Sequence, residues 1–86
     1  MLRIWAKVMN KDKILRDTVF TSDEDFDYEK FFTYTAEICQ SLDISTPVIL
    51  SKHVFHFLNF HNTTFFPQDF TEDITFSRLV LEDITE

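Results

Sequence analysis

Apolar and polar residues alternate from the start of the chain. Leu2, Ile4, Ala6 and Val8 fall on one side, and Arg3, Trp5 and Lys7 on the other. This is the period-2 pattern of a strand with one buried face. The polar run Asn-Lys-Asp-Lys at 10–13 suits a tight turn. The β-branched and aromatic segment 14–20 then reads as a second strand, making a hairpin. Its face is ambiguous, because Leu15 and Val19 compete with Ile14 and Phe20 for the interior.

After the acidic connection 21–27 the period changes to 3.6. Tyr28, Phe31, Phe32, Thr35, Ala36, Ile38, Cys39 and Leu42 form one helical stripe, with Glu29, Lys30, Thr33, Glu37 and Gln40 opposite. Asp27 is placed to cap this helix, which runs over about 27–42. A short strand over 48–50 competes with a second helix over 47–60, capped by Thr46 with Pro47 at its first position. The helix is the better reading. It puts Leu50, Val54, Phe57, Leu58 and His61 on one stripe, whereas a strand through 54–58 would have no polar face. Residues 61–73 read as irregular with a bend at Pro67, and 74–84 as a final strand with Leu79 and Leu81 inward. The order β-β-α-α-β predicts an α+β fold of one domain over 1–86, a small antiparallel sheet with both helices on one face. The first and last strands are then candidates to lie side by side.

Composition sharpens this picture. The chain is 44% hydrophobic and 27% charged, within the range of folded domains. No run approaches the roughly 18 apolar residues of a membrane span, so no membrane partner is expected. The N-terminal segment lacks the apolar core of a secretory signal, and the single Cys39 cannot form an internal disulfide. The expected location is cytoplasmic. Glycine is absent altogether, which excludes the glycine-rich phosphate loop, the dinucleotide fingerprint and the nucleophile elbow. Positive-φ positions are therefore expected to fall to Asn or Asp.

Charge divides the chain. Residues 1–16 carry five basic residues and one acidic, against three and fourteen in residues 17–86, for a net charge of −7. An acidic protein repels nucleic acid at long range, so that partner is disfavoured. Arg3, Trp5 and Lys7 project together from the outer side of the first strand, with Arg16 and Arg78 as candidates to join them from neighbouring strands. Such a face fits an unknown protein partner or self-association. Its bland alternative is a solvated surface on which Lys and Arg stems cover the indole.

Chemistry is sparse. His53 and His56, three residues apart on the second helix, are the weak candidates for a metal site. An acid such as Asp69 or Asp73 would have to complete it, since His61 is eight residues from His53, roughly 12 Å along the axis. Ordinary structural histidines explain the same residues. Asp23, Asp25 and Asp27 resemble the start of a calcium loop, but Tyr28 and Tyr34 stand where that loop needs Gly and Glu. The Asn62-Thr63-Thr64 glycosylation pattern, without a signal peptide, is a chance match. No catalytic residue, enzyme activity or cofactor is implied. A further reading takes the acidic portion as a mimic of nucleic acid, which requires its carboxylates on one continuous face.

The segments MLRIWAKVMNKDKILRDTVF, TPVILSKHVFHFLNF and FFPQDFTEDITFSRLVLE resemble those of a family of small uncharacterised bacterial proteins typical of Gram-positive anaerobes. The likeness covers nearly the whole chain. It implies a cytoplasmic bacterial protein and transfers no functional residue.

Overall fold

A computed structural model describes residues 1–86. Four strands and two helices follow in the order β1 (Leu2–Asn10), β2 (Lys13–Ser22), α1 (Phe31–Leu42), α2 (Ser51–Phe60), β3 (Asn62–Phe65) and β4 (Arg78–Asp83). The sheet order is β2-β1-β4-β3, and every neighbouring pair is antiparallel. The first and last strands do lie side by side, with Ala6 opposite Leu81 and Val8 opposite Leu79.

The predicted inward residues of β1, together with Leu79 and Leu81 of β4 and Phe65 of β3, belong to one buried cluster with Phe31, Ile38 and Leu42 of α1 and Phe57 of α2. Both helices therefore cover the same face of the sheet, and the opposite face has no layer over it. The α+β architecture is the one that the alternation of periods predicts.

Local details depart from expectation. Residues 61–73 are not wholly irregular: Asn62–Phe65 form the edge strand β3, followed by a single 3-10 turn at Pro67–Asp69. The second helix starts at Ser51, not 47. Pro47 lies buried in a segment without regular secondary structure, and its neighbour Val48 donates its N–H to the Asp69 carbonyl at 2.7 Å. Along α2 the buried residues are His53 and Phe57, while Leu50 and Leu58 are exposed, so the helix is rotated from the predicted stripe. In α1 the buried set is Phe31, Tyr34, Thr35, Ile38, Cys39 and Leu42. Tyr28 points to solvent from a separate 3-10 turn at 28–30 capped by Asp27, whose Oδ1 accepts from the Glu29 N–H at 3.0 Å, and Phe32 points to solvent from α1 itself.

Without glycine, helix ends use residues that pay for left-handed geometry. Asp43 (φ 57°) ends α1 with its N–H on the Gln40 carbonyl and the Ile44 N–H on the Cys39 carbonyl, the two bonds of a Schellman cap. His61 (φ 62°) ends α2 with its N–H on the Phe57 carbonyl. Lys11 (φ 57°) takes the third such position, in the β1–β2 turn. The expectation of Asn or Asp holds only for Asp43; the helix end falls on His61 and the β1–β2 turn on Lys11. Asp43→Gly and His61→Gly are each expected to raise stability by about 0.5–1 kcal/mol, additively, read as a higher urea midpoint with unchanged slope.

Candidate functional site

The outer face of the sheet is built from β1 outward. Residues directly paired across strands share a face, so Arg3, Trp5, Lys7 and Met9 of β1 lie with Thr21, Val19, Asp17 and Ile14 of β2 and with Glu82, Val80 and Arg78 of β4. A bulge in β2 settles its ambiguous face. Val8 pairs with Arg16 but Met9 pairs with Ile14, which leaves Leu15 as the extra residue. That one-residue shift puts both Ile14 and Val19 outward despite their odd separation, while Thr18 and Phe20 face the helices.

Four of the five predicted contact residues are brought together: Arg3, Trp5, Lys7 and Arg78. Arg16 is not. It stands opposite Val8 on the helix side, where a guanidinium N–H donates to the Leu42 carbonyl at 2.8 Å and so caps the end of α1.

The remaining face is less basic than the sequence implies. Trp5 Nε1 donates to Asp17 Oδ2 at 2.8 Å, and Lys7 Nζ donates to Glu82 Oε1 at 3.1 Å. The Lys7 ammonium also lies 4.1 Å from the centroid of the Trp5 ring, a cation–π contact. Trp5 and Lys7 are half-buried by these mutual contacts. Arg78 donates to the Lys11 carbonyl, and neither Arg3 nor Arg78 has a carboxylate partner. Val19, opposite the indole, and Ile14, opposite Met9, are exposed, each at 45% of its free surface. The face has two apolar clusters with paired charges between them and two unpaired arginines.

The histidines part company. His53 is buried and its ring stacks 4.3 Å from Phe65, whereas His56 is exposed and His61 serves as the helix cap described above. His53 Nδ1 accepts the Leu50 N–H at 2.9 Å, while the His53 N–H donates to the Leu50 carbonyl at 3.0 Å. This is a capping-box arrangement with histidine in the role usual for Glu or Gln. Asp69 repeats it one turn away in space: Oδ2 accepts the Phe66 N–H at 2.8 Å. The two caps face each other, with His53 Nε2 3.6 Å from Asp69 Oδ2.

That geometry fixes the tautomer. An Nδ1 that accepts a hydrogen bond carries no proton, so the neutral ring has its hydrogen on Nε2. Burial lowers the pKa of His53, and the Asp69 carboxylate opposes this less strongly. His53 is thus a neutral donor. Ligating a metal through Nε2 requires the hydrogen to sit on Nδ1, against the Leu50 N–H. No group of three His, Cys, Asp or Glu side chains assembles that could hold a metal ion.

Cys39 is fully buried, and burial pushes its thiol up to about 11 against the smaller opposing effect of a hydrogen bond with Thr46. Such a thiol is not a nucleophile at neutral pH. Asp17 and Glu82 are engaged on the sheet face, Asp69 is inside, and Glu24 pairs with Lys30. No helix is long and apolar enough to cross a membrane.

A cavity of about 360 Å³ lies between α2 and β3, lined by Lys52, His53, His56 and Phe60 on the helix and by Asn62, Thr63, Thr64 and Phe66 on the strand side. The segment Asn-Thr-Thr-Phe that forms β3 carries no period that separates a strand from a loop. No family model, curated protein or solved structure matches the chain.

Proposed function

We propose that the chain is a small non-catalytic interaction module that binds another protein through the outer face of its sheet. One observation carries this reading. The sheet has helices on one side only, and its open side presents two apolar clusters, Trp5 with Val19 and Met9 with Ile14, on either side of the paired Lys7 and Asp17. Exposed apolar side chains with polar groups around them are the anatomy of a protein contact. The internal pairing of Lys7 with Glu82 assigns the binding energy to the apolar clusters. Arg3 and Arg78, which lack carboxylate partners, orient a partner that carries acids at matching positions.

The test uses two variants that act differently on the face. Val19→Glu places a charge in the Trp5–Val19 cluster while the backbone ladder stays intact. Trp5→Ala removes the central ring and its bond to Asp17. Each is expected to weaken capture of the natural partner from cell extract by at least about tenfold, with the folded-state circular dichroism preserved. Sedimentation of the wild-type chain identifies self-association as the alternative use of the same face. Undiminished capture by both variants would remove the proposal.

A further inference from the structure

The groove between α2 and β3 lies apart from the outer face and has the makings of a second binding site. β3 is the edge of the sheet, so one side of its backbone has no neighbouring strand. Its register shows which groups are left free. The Asp83 N–H donates to the His61 carbonyl at 2.7 Å, and the ladder continues as Thr63 opposite Leu81 and Phe65 opposite Leu79. Bonded pairs alternate in an antiparallel ladder. The N–H and C=O groups of Asn62 and Thr64 therefore point away from β4. Phe66 is next in the same outward series, and its N–H is the one taken by Asp69. The acid closes one end of the edge and leaves Asn62 and Thr64 open.

The helix supplies a wall beside this open edge. Lys52, His56 and Phe60 are spaced by four residues each, about 6 Å per step. Side chains on one face of an extended strand recur every 6.6–6.8 Å or so. A strand laid along β3 would thus meet one helix residue with each of its inward side chains. Phe60 and Phe66, at 59% and 45% exposure, offer large apolar surface at the same groove.

We propose that this groove takes up an extended acidic peptide segment of another protein as a fifth strand on β3. Main-chain hydrogen bonds to Asn62 and Thr64 supply the register, an Asp or Glu side chain meets Lys52, and an apolar side chain further along packs on Phe60 and Phe66. Charge selects this occupant. No carboxylate lines the groove although the chain carries a net charge of −7, and Lys52 has no acidic partner. A second copy of the chain would bring in Asn62–Phe65, which has no carboxylate to match Lys52. The other edge is guarded: β2 carries Lys13, Arg16 and Asp17 and a bulge at Leu15, devices that discourage strand addition. β3 has none of them.

Selection of short random peptides displayed on phage against the full chain tests this directly. Enriched peptides are expected to alternate apolar residues and to carry Asp or Glu. Thr64→Pro removes an outward N–H while leaving the β3–β4 ladder intact, since proline is tolerated at such edge positions. It should weaken the enriched peptides by at least about tenfold. Lys52→Glu, an exposed change that leaves the fold alone, should weaken them to a similar degree and improve binding of peptides with Lys or Arg in place of the acid. It decides the matter even if Thr64→Pro proves unstable. Trp5→Ala should leave these affinities unchanged, which separates the groove from the outer face. The proposal is overturned if nothing is enriched, if the peptides bind Lys52→Glu as they bind wild type, or if they require Trp5. It is equally overturned if sedimentation shows a dimer that Thr64→Pro dissociates, because the groove is then filled by a second copy.

Discussion

Replacing Phe57 with alanine is expected to cost about 3–5 kcal/mol, half or more of the stability of a domain this size. Phe57 is one of only two buried residues on α2. Its ring meets Phe26 at 5.3 Å and Phe31 at 5.4 Å, and those two rings lie 6.1 Å apart, so one side chain joins both helices and the loop before α1. Alanine would leave a hole bounded by stiff rings that cannot collapse to fill it, which puts the cost at the upper end for large-to-small changes. Urea titration should show a much lower midpoint at an unchanged slope. The same measurement on Leu58→Ala and Phe55→Ala supplies the contrast. Leu58 and Phe55 are 51% and 57% exposed, so each is expected to cost within about 0.5 kcal/mol. A large loss at Leu58 as well as at Phe57 would mean that α2 has the rotation its apolar stripe predicts rather than the one described.

That contrast locates where sequence reasoning succeeds and where it stops. β1 is legible because its alternation is strict and its inner residues are all apolar. Leu79 and Leu81 are legible for the same reason. α1 is legible in extent, but its phase differs in the first turns, where Tyr28 falls in a separate 3-10 turn, Phe32 is exposed and Tyr34, outside the predicted stripe, is buried. α2 misleads because its buried face includes a histidine. Scored as polar, His53 pushes the predicted stripe toward Leu50 and Leu58, when its ring is in fact the element that caps the helix and packs on Phe65.

β3 is hidden by length. Four residues with one inward threonine present no pattern that a loop would not, and the strand exists because β4 offers it a partner. The outer face is legible in the sequence but its electrostatics are not. Pairing across strands neutralises Lys7 and turns Trp5 toward Asp17, and the bulge at Leu15 carries Arg16 to the other side. These outcomes depend on register, which alternation alone does not determine.

His53 carries the second large effect, and it is a pH effect as well as a structural one. His53→Ala is expected to cost about 2–3 kcal/mol at pH 8, from loss of the cap on the Leu50 N–H and from the space left against Phe65. His53→Gln should recover part of that loss, since glutamine at this position of a helix can reach back to the same N–H. Glutamine does not titrate, which makes it the reference for the proton. In the folded chain burial holds the pKa of His53 below its ordinary value of 6.5, with the Asp69 carboxylate opposing and Lys52 and His56 adding smaller downward effects. Between the lowered folded value and 6.5 the unfolded chain binds a proton that the folded chain does not. Stability therefore rises with pH across that window. The contribution is fully present above the unfolded value, is lost as pH falls toward the folded value, and is constant below it. The difference in unfolding free energy between wild type and His53→Gln should accordingly shrink as pH is lowered from 8 through 6.5, while effects of the carboxylates common to both proteins cancel. A difference that grows on acidification would mean that Asp69, at 3.6 Å, holds His53 as an imidazolium. The facing caps would then be an ion pair, and the neutral donor assigned to the wall of the groove would have to be abandoned.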